Sequence, residues 1–170
     1  VIAGVLGLTR RLSTIAKVLL GLGGLAILVF AVAGLPVASD AVSLPLGMGS
    51  SRFVLSPSAF WLLGFGLPGA ILACWLGTPS ARPSIWIFGA AATLIGALGV
   101  FGLQDAVSFL IAWEIMSLGG AVMILGEDLA PDKGRRVLFM LGLLEAGAVA
   151  LVLAFILLAR HANSWSFAEF

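Results

Sequence analysis

Two carboxylates stand where the surrounding residues suit lipid rather than water. In "FLIAWEIMSLGGAVMIL", residues 109–125, Glu114 is the sole charge. In "LFMLGLLEAGAVALVL", Glu145 is again alone. A charge at the centre of a bilayer costs roughly 2.5–3.5 kcal/mol on insertion scales. Acids held there usually face a bundle interior or a wet cavity, and their chemistry is to take up and release a proton or bind an ion. Helical spacing puts Leu110, Ile111, Ser117, Leu118 and Ala121 on the face of Glu114, so Ser117 offers a hydroxyl one turn away. Gly142 and Ala148 leave room beside Glu145. Trp113 lies too deep for an interfacial aromatic belt and reads as packing beside the acid. His161, next to Arg160, is a candidate proton exit group, or else a surface histidine at a helix end. For both glutamates the plainer alternative is a structural polar contact between helices.

The other six acids have solvated placements. Asp40, Asp105 and Glu169 fall in or beside outer loops, with Gln104 and Asp105 expected at the outer surface. Glu127, Asp128 and Asp132 fall in the mixed-charge inner loop "GEDLAPDKGRR". No nucleotide-binding, Cys-His or nucleophile motif occurs, so no catalytic residue, cofactor or metal is assigned. Cys74 is the only cysteine, which rules out a disulfide or cysteine-based metal framework within the chain. The net charge of +1 offers no basic field for nucleic acid.

The elements that must hold these residues are membrane helices. Of 170 residues, 61% are hydrophobic and 10% charged, and mean hydropathy is +1.19. Soluble domains carry about 25% charged residues. The apolar runs are long and continuous, which predicts an all-α polytopic bundle rather than a barrel. Five complete spans are expected: 18–35, 58–77, 84–103, 105–125 and 136–159. "VIAGVLGL" at the start is too short to span and reads as the end of a further helix, giving about six. The basic residues orient the bundle. Arg10, Arg11, Lys17, Arg82, Lys133, Arg135 and Arg136 collect on one side, taken as inside, against Arg52 and Arg160 outside. The N-terminus is therefore expected outside.

The loop at 36–57 carries turn signals between short apolar runs and predicts a small outer hairpin. Pro68 predicts a kink in the second complete span. The spans on either side of Leu103–Asp105 should form a tight antiparallel pair, with Gly89, Ala92, Gly96 and Gly99 supplying a smooth contact face.

"LQDAVSFLIAWEIMSLGGAVMIL" resembles the fifth transmembrane helix of the antiporter-like subunits. These are the proton-translocating membrane subunits of respiratory complex I, Mrp-type cation/proton antiporters and membrane-bound hydrogenases. Trp113, Glu114, Met116, Ser117 and Leu118 match its Trp-Glu-x-Met-Ser-Leu pattern. The double-arginine loop, the outer hairpin and "SWSFAEF" follow in the family's order, and the wording is most similar to the hydrogenase-4 component B or formate hydrogenlyase subunit 3 branch.

The resemblance implies the N-terminal part of a 14-helix fold, with 1–103 holding helices one to four and 104–170 opening the proton-translocating domain. It implies a non-redox subunit of a multi-subunit oxidoreductase, with no catalytic centre of its own. Glu114 would be its channel proton site, paired with a lysine from a seventh helix beyond Phe170. Complex I relatives often carry an ionisable pair near a glycine of helix six, where this chain has only Glu145. The implied setting is a multi-pass protein of the cell (inner) membrane. Its partners would be the lipid bilayer and other membrane subunits of a hydrogenase or complex I-like assembly, and it would carry protons and possibly Na⁺. The alternatives are an Mrp-type antiporter subunit and a membrane scaffold without transport.

Overall fold

The computed structural model describes residues 13–34, 36–43, 50–76, 82–126 and 131–170. These form five α-helices: α1 (Ser13–Ala33), α2 (Pro57–Leu76), α3 (Pro83–Gly102), α4 (Ala106–Leu125) and α5 (Pro131–Ala162). A short 3₁₀ turn, Phe167–Glu169, follows α5. Among the described residues, α3, α4 and Gly134–Ala162 of α5 are long and apolar enough to cross a membrane. Twenty residues rise about 30 Å, the thickness of a bilayer's hydrocarbon core. The partial first helix expected at 1–8 lies outside the described residues. So does the side chain of Pro68, although α2 runs through that position as helix.

Local chemistry sets the helix ends. Gly34 takes a left-handed φ of 63° after α1, a conformation glycine adopts without a steric penalty. Pro83 opens α3, where its missing N–H costs nothing. At the end of α5, Arg160 and His161 sit in the last turn, where cations complement the helix dipole. Asn163 then turns left-handed at φ 54°, and the Ser164 N–H donates back to the Ala159 carbonyl at 3.2 Å. The start of α5 differs from expectation. The sequence reading places 131–135 in the inner loop, but the helix begins at Pro131, which is preorganised for a first helical position. Asp132 therefore stands in the first turn of α5 rather than in a loop.

The expected hairpin is present between α1 and α2. β1 (Val37–Ala38) pairs antiparallel with β4 (Val54–Leu55), and β2 (Val42–Ser43) pairs antiparallel with β3 (Ser50–Ser51). Leu55 turns inward to join Ala59, Phe60 and Leu63 of α2 in a buried cluster against Ile27, Leu94 and Leu98. The hairpin is thereby tied to α1, α2 and α3.

The tight α3–α4 pair is also present. A Cβ built on Gly89 would lie 2.6 Å from the Met123 amide nitrogen, and one on Gly119 would lie 2.6 Å from that of Thr93. A Cβ on Gly96 would overlap the Met116 backbone. Side chains absent at these positions let the two backbones touch, the means by which helices pack strongly in lipid. The Arg82 N–H donates to the Gly126 carbonyl at 2.9 Å and closes the far end of the pair.

Candidate functional site

α4 is the central element of the site. Ala112, Met116, Gly119 and Met123 lie against α3. At 100° per residue, Glu114 projects from the opposite side of α4 from Ala112 and Met116. That side receives α5. Its inward stripe includes Leu141, Glu145, Ala148, Phe155 and Ala159, of which Ala148 and Ala159 are buried while the residues between them are largely exposed. Phe109 of α4 meets Phe155 of α5 edge to face at 5.6 Å.

On this seam the two intramembrane acids come together. The Glu114 side chain is close enough to that of Glu145 to share a hydrogen bond. Both residues are partly buried. An ionised carboxylate only accepts hydrogen bonds, so a bond between two carboxyl groups requires a proton on one of them. Glu114 is the ninth residue of α4, about 12 Å of rise from its start and near mid-helix.

Of the two supporting residues, Ser117 makes a backbone bond and Trp113 packs as expected. The Ser117 hydroxyl donates to the backbone carbonyl of Glu114 at 3.1 Å, so it braces the helix at the acid. Trp113 stacks on Phe109 at 6.1 Å, in keeping with a packing role. Its indole N–H is buried and meets no acceptor among the described residues. His161 is exposed in the last turn of α5, sixteen residues and about 24 Å of helix rise from Glu145. The structure does not bring it to the carboxyl pair.

Asp105 departs from its expected solvated position. It is 1% exposed, the most buried charged residue among the described residues. Its Oδ1 accepts from the Ser108 N–H at 2.8 Å, capping α4, while Oδ2 is buried without a partner among the described residues. The C-terminal segment covers it. The Ala106 N–H donates to the Trp165 carbonyl at 3.0 Å, and the Phe167 N–H donates to the Gln104 carbonyl at 3.1 Å. Phe167 and Phe170 then pack on Phe155 at 5.6 and 6.3 Å. The Asp before an apolar run with Ser three residues on is a helix-start signal, and it could have identified the cap. Gln104 stays exposed and donates to the Gly102 carbonyl at 3.0 Å.

Comparison with protein-family models and with curated proteins gives no match. What is established is a helical protein with three membrane-compatible helices among the described residues.

Proposed function

We propose that this chain is a proton-translocating, antiporter-like subunit of a redox-driven membrane complex, with Glu114 as its channel proton site and Glu145 as its immediate partner. The observation that carries the reading is the meeting of Glu114 and Glu145 on the α4–α5 seam. Each acid is the only charge in its apolar run. A purely structural contact between helices is achieved more cheaply by uncharged polar groups, since carboxyls in a membrane interior are costly and generally functional. The Trp113–Leu118 motif adds the resemblance to the antiporter-like family.

In this account the pair holds a proton between its two carboxyl groups, and the site is loaded and emptied by a cation that approaches and withdraws. Lys17 and Lys133 lie near helix starts, so that cation comes from another helix. The Ser117 hydroxyl bonds the Glu114 carbonyl, and Trp113 stacks on Phe109 beside the acid. The complex would supply the redox reaction, and this chain the proton path.

The test is Glu114→Gln in the assembled complex, measured as redox-driven acidification of sealed vesicles. Loss of proton translocation with assembly retained is expected. Unchanged translocation would remove Glu114 from the path.

A further inference from the structure

The geometry points to a phospholipid site of anionic headgroup chemistry on the α3–α4 pair, at the hairpin end. A groove of about 480 Å³ runs along this pair, within the size range of small-ligand sites. Phe53, Leu103, Ile95, Ile111 and Ile115 line it, with Ser108 the only hydroxyl of the lining. Of its α4 lining, Ser108, Ala112 and Ile115 lie off the Glu114 face, and Ile111 borders it.

Three features select the occupant. The lining is almost wholly apolar, as an acyl chain requires. The groove lies within one leaflet: from Ser108 to Ile115 is seven residues, about 10 Å of rise, starting at the hairpin end and stopping near mid-helix. A transmembrane helix from a partner would continue past mid-helix. The third feature is charge. Arg52 directly precedes Phe53, and its carbonyl accepts from the Gln104 N–H at 3.0 Å, which fixes its backbone beside the groove. Its side chain is exposed and has no ion-pair partner among the described residues, and Asp40 across the hairpin is exposed and unpaired with it. An exposed arginine whose backbone adjoins an apolar slot suits a phosphate at the end of an acyl chain.

The slot is closely packed at two glycines. A Cβ on Gly102 would fall within 2.7 Å of the Phe53 ring, and one on Gly99 would lie 2.6 Å from the Ala112 side chain. The walls are thus held by close contacts. A preorganised site loses less on binding than a mobile one.

The experiment uses the full chain in nanodiscs containing photoactivatable phosphatidylglycerol or phosphatidylcholine, with the diazirine on the acyl chain and labelled positions mapped by mass spectrometry. Phosphatidylglycerol should label Ile95, Ile111 and Ile115 in preference to phosphatidylcholine. Arg52→Gln should lower that labelling roughly fivefold, the effect of one basic residue at a membrane surface. Ile111→Trp should abolish it by filling the slot, and folding should survive because Ile111 is 58% exposed. Equal labelling by both lipids, insensitivity to Arg52→Gln, or labelling no stronger than at exposed Leu157 would overturn the proposal. A crosslink from residue 111 to a protein helix would also overturn it.

Discussion

Replacing Gly96 with Ala adds one methyl group at the closest point of the α3–α4 pair. The new carbon would stand 2.7 Å from both the Ala112 carbonyl oxygen and the Met116 Cα, where ordinary contacts need well over ~3 Å. Both neighbours are backbone of a continuous helix, so neither can rotate away and the helices must separate. Overpacking of this kind costs about 1–3 kcal/mol. For a chain of this size each kcal/mol lowers the melting temperature by roughly 2–4 °C, so Gly96→Ala should melt roughly 2–12 °C lower. Gly120, one residue past the contact face, has no neighbouring group within 4 Å of the position an added methyl would take. There Ala brings only its helix preference, about 0.5–1 kcal/mol in favour of folding. The two substitutions are chemically identical and should move the melting point in opposite directions. Tryptophan fluorescence during heating of the purified protein in detergent would measure both. Equal shifts, or a stable Gly96→Ala, would refute the close-approach account of the pair.

Two further outcomes follow from the hairpin end. Asp105→Ala removes the Ser108 cap and should cost about 1 kcal/mol, whereas Asp105→Asn keeps an acceptor for the Ser108 N–H and should lose less; thermal unfolding checks the ranking. Phe167→Ala removes ring contacts with Phe109 at 5.7 Å and Phe170 at 5.8 Å. Hydrogen exchange of residues 163–170 should then rise roughly tenfold, reflecting about 1–2 kcal/mol of aromatic packing.

Helices and their spacing are legible because lipid imposes long apolar runs, and prolines and glycines punctuate them. Bounds for α2, α3 and α4 follow the sequence expectation to within a residue. α5 starts five residues early because Pro131 is preorganised for a first helical position. Glu114 and Glu145 stand out in the sequence because a lone charge in an apolar run is conspicuous. Their approach is not legible there, since it depends on how α5 packs against α4, as in the Phe109–Phe155 contact. The burial of Asp105 escapes the sequence for a related reason. It depends on a C-terminal segment that folds back through backbone hydrogen bonds, and short polar sequences do not announce such contacts. The Ser117 hydroxyl shares a face with Glu114, but spacing alone cannot distinguish a bond to the carboxyl from one to the carbonyl of the same residue.

The claim that Glu114 and Glu145 act as one proton site is tested most directly by a double-mutant cycle on proton translocation. Glu114→Gln, Glu145→Gln and the double variant would be compared in vesicles carrying the assembled complex, with translocation measured per electron transferred. Residues that work as a unit are strongly non-additive. Each single variant should therefore impair translocation, and the double variant should be no worse than Glu114→Gln alone. Multiplying effects, or a Glu145→Gln variant that translocates normally, would contradict the shared site.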